Sequence, residues 1–316
     1  MKTTEYDVIV IGGGAAGLSG ALALVRSRRS VLVIDDGQPR NAPAGHVHNY
    51  LTRDGTPPSE LYAIGREEVA GYGGQFATGT VTAVRRSDGF TVELADGTTY
   101  QGRRILVTSG LTDVLPDVPG LAEQWGKDVL HCPYCHGWEV QDQAIGVLAT
   151  SPQAVHQAQM FRQLSDDVTL FLHDSIELTD AQWEELAARQ IAVVQGRVEQ
   201  VEVVDGKLTS VRLAGGKVIP RDALTVQTVL RSRAGFLIDL GLKTAVLEMA
   251  GSVYGDAIEV DAKGETAVPG VFAAGNVTDP MAQVLHAAGA GLRAGAAING
   301  DLIAEETRLA LAARGS

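Results

Sequence analysis

Only two of the 316 residues are cysteine, Cys132 and Cys135. That scarcity excludes a disulfide framework of the secreted kind. It also argues against zinc, because a structural site wants about four ligands and no second cysteine pair exists. His131 and His136 lie too close along the chain to complete an ordinary knuckle, so no metal is assigned. Basic residues are in deficit as well, 26 against 38 acidic ones, giving a net charge of −12. Neither nucleic acid nor an anionic membrane suits such a chain as partner. Apolar runs of the roughly 18 residues needed to span a bilayer are missing. Residues 1–6 lead straight into an apolar run with no room for a signal peptide, so a cytoplasmic location is expected. Repeats and low-complexity stretches are also lacking, and the length suits about two domains.

The two cysteines stand as a C-x-x-C in the stretch His131-Cys132-Pro133-Tyr134-Cys135-His136. Two intervening residues let the sulfurs meet, and the surroundings can lower one thiol pKa, so the pair can cycle between dithiol and disulfide. An inert pair of core thiols is the bland alternative, but buried cysteines seldom carry this spacing.

The N-terminal region supplies a partner for such a pair. Residues 7–11 (DVIVI) read as a buried parallel strand, followed by Gly12-Gly13-Gly14-Ala15-Ala16-Gly17, a helix over 18–26 and a second strand over 30–34 ending at Asp35. In this G-x-G-x-x-G, Gly12 makes the tight turn, Gly14 admits a pyrophosphate to the backbone and Gly17 lets helix and strand pack closely. The helix N-terminus offers N–H groups to phosphate, Ala15 and Ala16 of the turn are further cofactor contacts, and the acid accepts ribose hydroxyls. A dinucleotide therefore binds here. Further contacts are expected from Asp36, from Arg40, His48 and Asn49 in a proline-rich loop over 38–60, from Val81, and from Gly110. Runs at 81–84, 90–94 and 98–100 read as an antiparallel meander, and 104–110 as a separate buried strand.

A second β-α-β pattern follows, with strands over 144–149 and 168–172 around a helix over 155–164. Topologically it could take a second dinucleotide, yet Ala149, Ser151 and Ala154 stand where the turn glycines belong. His173-Asp174 replaces the arginines that a 2′-phosphate requires. Productive NADPH binding is not expected. Near the end, Gly275-Asn276 closes a strand at 270–273, and 283–289 opens a small-residue helix able to pack against a flat ring, with Gln283 and Val284 at its start. His286 either faces the edge of that ring or packs, and 301–314 reads as a short solvated helix.

Across nearly its whole length the sequence resembles the low-molecular-weight thioredoxin reductases. The resemblance is carried by the turn at 12–17, the Cys132/Cys135 pair, residues 266–276 and residues 283–289. It implies an α/β, two-domain pyridine-nucleotide-disulfide-oxidoreductase-like fold. A Rossmann-type FAD domain (1–114 and 243–316) would receive an inserted NAD(P)-like domain (115–242). FAD is the implied cofactor and a homodimer the implied assembly. Cys135 would exchange electrons with the flavin and Cys132 would meet substrate. That family has an aspartate where Asn276 stands; an asparagine can still hydrogen-bond there.

The family's acid after the second cysteine is His136 in this chain, and the segment is similar to the gliotoxin and holomycin dithiol oxidases. That branch implies oxidation of a small-molecule dithiol, with O2 as acceptor and H2O2 as product. His136 would serve as proton acceptor, since imidazole titrates near neutrality; alternatively it only tunes the cysteines electrostatically. A thioredoxin-disulfide reductase, with a thioredoxin-like protein as partner, is the second reading. A non-catalytic flavoprotein is the third.

Overall fold

The computed structural model describes residues 5–315; residues 1–4, before the first strand, lie outside that range. Strand β1 (Glu5–Ile11) is built for the middle of a sheet, with Val8, Ile9 and Val10 fully buried. A continuous β-branched run suits a strand covered on both faces. It pairs in parallel with β2 (Val31–Asp35) across helix α1 (Ala15–Arg26). Helix α2 (Pro58–Gly71) leads to β3 (Gln75–Thr78), which extends the sheet beyond β2. The proline-rich loop thus ends at 57, because proline fits the first helical position, where its missing N–H costs nothing.

The meander is β4 (Val81–Ser87), β5 (Gly89–Leu94) and β6 (Thr99–Val107). Here the structure corrects the sequence reading: 98–100 and 104–110 are not separate strands. β6 runs continuously beside β1, and its other edge changes partner midway. Residues 99–102 pair antiparallel with β5 and 105–107 pair parallel with Val271–Ala273.

The second unit holds a five-stranded parallel sheet in the order Ala192–Val194, Val168–Phe171, Ile145–Leu148, Ala223–Val226, Val129–Leu130. An antiparallel sheet of Val198–Val204, Lys207–Leu213 and Val218–Pro220 packs beside it. The units are joined by a neck of two antiparallel strands, Leu111–Val114 and Val229–Ser232. Ala234, Leu237 and Leu242 pack in the same core as Ile9 and Ile105. We therefore place the return crossing at the neck, earlier than the 242/243 boundary read from sequence.

The last helix is a single element, Val284–Gly315. The expectation of a short, merely solvated end is corrected: Ile298 and Leu302 are fully buried, Asp301 and Glu305 pair with Arg104, and Glu306 pairs with Arg29. Its glycines serve a neighbour that sequence did not reveal. A Cβ on Gly295 would come within 2.6 Å of Gly20 O, and one on Gly291 would fall on the Ala16 carbonyl. The small-residue face is a seat for α1.

Candidate active site

The two units enclose a cavity of about 950 Å³ that reaches from the glycine turn to the cysteines. The turn is shaped by steric necessity. Gly12 has φ +106°, a conformation open chiefly to glycine, and a Cβ there would strike Thr108 O. Around Gly14 a Cβ would meet nothing within 4 Å, so the backbone faces open space where a pyrophosphate can approach. Gly17 does not line the cavity; it presses on the Gly12 carbonyl and fixes the angle at which α1 leaves the turn. Asp35 reaches back to accept from Gly13 N at 3.0 Å and to pair with Arg66.

The remaining sequence-derived positions sort by geometry. Ala15, Ala16, Asp36, Val81 and Gly110 line the cavity, as do Gly275, Asn276, Gln283 and Val284. Arg40 lines it too, but its guanidinium is held by Asp113 through two 2.7 Å bonds. Asp113, its side chain buried, also accepts from Thr228 at 2.8 Å, so the pair ties the loop to one neck strand and to the residue just before the other. His48 borders the cavity, whereas Asn49 does not and turns its amide towards the redox helix. His286 is exposed and lies off the cavity. Tyr62 and Thr108 border the site and were not singled out, having no local signal in the sequence.

Asn276 has a more particular use. Its Nδ2 donates to Asp279 O at 3.1 Å and Ala282 O at 2.9 Å, holding the bend that brings Gln283 to the cavity. A carboxylate accepts only, so aspartate cannot replace this donor. Asn276→Asp is expected to set a charge against carbonyl oxygens and to weaken flavin retention by about tenfold or more. Fluorescence titration of released flavin measures it.

The cysteines sit at the start of the four-residue helix Pro133–His136, with Cys132 as its N-cap and Pro133 at its first position. Both are free thiols with the sulfurs 2.6 Å apart. Cys132 is drawn down to about 7 from an ordinary 9.0, chiefly by the Cys135 thiol bonded to it, with help from the N–H groups of Cys135 and Tyr134 and the Arg40 charge. Cys135 is pushed up, because the Cys132 thiolate holds its proton and burial disfavours a second charge. The reduced pair is therefore one thiolate and one thiol. Burial pushes His136 below its usual value, leaving a neutral base at pH 7 on the same cavity. Alkylation of reduced protein at Cys132 should rise through a midpoint near 7; a midpoint near 9 would contradict this arrangement.

The second unit's turn is committed to its own structure. Thr150 Oγ1 donates to Gln227 O at 2.9 Å and Ser151 Oγ to Gln227 Oε1 at 2.7 Å. His173, at φ +54°, turns its Nδ1 back to accept from Val198 N at 3.0 Å.

The pattern of a pyridine nucleotide-disulphide oxidoreductase matches residues 6–291. The chain is 46% identical to HlmI, whose crystal structure superposes with a TM-score of 0.91 over 98% of this chain and 96% of that one. Thioredoxin reductase sirT of Leptosphaeria maculans is 31% identical over 93% of each chain. The match to thioredoxin reductase tcpT of Claviceps purpurea, at 37% identity, spans little more than half of either protein, 54% of this chain and 57% of that one. Proteins of this kind carry FAD, and the open approach at Gly14, the acid at 35 and the long cavity fit it. The chain belongs to the pyridine nucleotide-disulphide oxidoreductases and is thioredoxin reductase-like over its length.

Proposed function

We propose that this enzyme oxidises a small-molecule dithiol to its intramolecular disulfide, with O2 accepting the electrons and H2O2 leaving. One observation carries the reading. A cavity built for flavin and a dithiol pair stands beside a nicotinamide turn whose polar side chains are spent on Gln227 and Val198. In this reading electrons come from something other than NADPH. Tyr134 and Trp138, 68% and 69% exposed beside the cysteines, offer apolar surface to a small substrate.

The chemistry begins with a substrate thiolate attacking Sγ of Cys132 in the oxidised pair. The Cys132–Cys135 bond breaks, Cys135 leaves with the electron pair, and a mixed disulfide forms on Cys132. The substrate's second thiolate attacks its own sulfur in that bond, closing the product disulfide and releasing Cys132 as thiolate. Of the two protons the substrate gives up, one rests on Cys135, whose raised pKa holds it, and His136 accepts the other. FAD, when bound, takes the two electrons from the dithiol and delivers them to O2. In this reading Cys135 is the sulfur that exchanges electrons with the flavin and Cys132 the one that meets substrate. The enzyme is taken to be a cytoplasmic homodimer.

The names of sirT and tcpT favour a second reading, a reductase whose partner is a thioredoxin-like protein. Anaerobic bleaching of the flavin near roughly 450 nm separates the two. Fast bleaching by a small dithiol, reversed by air, with none by NADPH, supports the oxidase. Fast bleaching by NADPH overturns it.

A further inference from the structure

Apart from the neck, the described residues make only two direct polar ties between the units, and both end on the redox segment. Asn49 Nδ2 donates to Tyr134 O at 2.6 Å. His48 Nε2 stands 3.0 Å from Glu139 Oε1. Tyr134 lies between the cysteines, and Glu139 three residues past His136. The segment needs such support. A four-residue helix has too few internal bonds to hold itself, and its N-cap residue is cysteine rather than a strong hydroxyl or carboxylate cap. A two-stranded neck also leaves the units free to swing unless something else joins them.

The loop that supplies both ties is itself braced. Val47 and Thr56 form an isolated antiparallel bridge. Asp54 accepts from Asn49 N at 2.8 Å and approaches His48 Nδ1 at 3.4 Å. Asn49 takes φ +60°, a left-handed conformation that asparagine tolerates better than most residues. That bend aims the two neighbouring side chains at one target. Pro43 adds an apolar contact, since a Cβ on Gly126 would come within 2.6 Å of it.

We propose that His48 and Asn49 are positioning residues of the thiol–disulfide reaction. They clamp the redox segment, through Glu139 and the Tyr134 carbonyl, against the flavin side of the cavity, so the cysteines work in one fixed arrangement of the two units. The proposal rests on the Cys132/Cys135 pair as the reacting group.

The test uses the FAD-loaded full chain, reduced, carrying His48→Ala with Asn49→Ala, and separately Glu139→Ala, which cuts one tie from the other side. Thiol modification by iodoacetamide is compared with modification by a polyethylene-glycol maleimide, and solution scattering follows the spacing of the units. With the clamp cut, the bulky reagent should gain about tenfold relative to the small one and the scattering curve should expand. Glu139→Gln, which keeps an acceptor for His48, should stay within about threefold of native. An unchanged reagent ratio and scattering curve in the double variant would overturn the proposal. So would flavin loss or a lowered melting temperature with a native reagent ratio, since the loop would then serve stability alone. Neither measurement uses a substrate dithiol or NADPH, so its failure is separate from failure of the proposed oxidase.

Discussion

Cys135→Ser should abolish reduction of the flavin by any small dithiol, with a loss on the order of 10⁴-fold or more. The size follows from what the substrate attacks. Without Cys135 the enzyme has no disulfide, and a serine oxygen cannot form an exchangeable bond to Cys132. Only a slow, unassisted meeting of free dithiol and flavin would remain. Cys132→Ser should lose turnover equally, and the two variants part in their spectra. If Cys135 faces the flavin, the Cys132→Ser protein will perturb flavin absorption as its remaining thiol deprotonates, and the Cys135→Ser protein will not. The opposite pattern would exchange the two assignments. It would also give the flavin-side role to the sulfur already poised at about 7.

The second large effect is expected far from the sulfurs, at Gly291→Ala. Its Cβ would fall on the Ala16 carbonyl oxygen, which is backbone and cannot rotate aside. Ala16 belongs to the first turn of α1, directly after the glycine turn. To make room, the last helix or α1 must shift, and a shift of α1 moves the N–H groups that receive pyrophosphate. Overpacking of this kind costs about 1–3 kcal/mol where neighbours can adjust, and more where the obstacle is main chain. Loss of bound FAD together with a lowered melting temperature is the expected outcome. Gly300→Ala, where a Cβ meets nothing within 4 Å, should leave both unchanged.

How far the sequence could be read depended on the range of each interaction. The strand, glycine turn, helix and second strand lie within residues 5–35 and obey local rules, so this unit was legible as structure, whereas the bonds of Asp35 to Gly13 N and to Arg66, 31 residues away, were not. The C-x-x-C was legible for the same reason, as was the second β-α-β unit. Arg40 was read as a cofactor contact because nothing nearby claims it; its partner Asp113 lies 73 residues away. The small residues at 283–289 were read as a seat for a flat ring, and Gln283, Val284 and Ala287 do line the cavity; Gly291 and Gly295, which seat α1, lie beyond that stretch and gave no sign of their neighbour. β6 was split in two because Gly102 and two arginines interrupt its apolar pattern. Pairing with β1 along its length overrides that interruption. Asn276 was read as able to hydrogen-bond where the family has aspartate; that its donor group is the one in use depends on carbonyls three to six residues further on, which only the folded bend brings round.

The bonds around Gln227 bear on reversibility. Ser151→Gly would open the turn to a phosphate but strip the Gln227 amide oxygen of its donor, and Thr150 would still bind the Gln227 main chain. Freeing His173 for a cationic replacement would leave Val198 N without an acceptor. Each single step towards a working hydride-donor site thus removes a stabilising bond before any gain in binding appears. Under the proposed oxidase reading, such a lock would be hard to leave by one substitution at a time, and dependence on thiol electrons would become a one-way commitment.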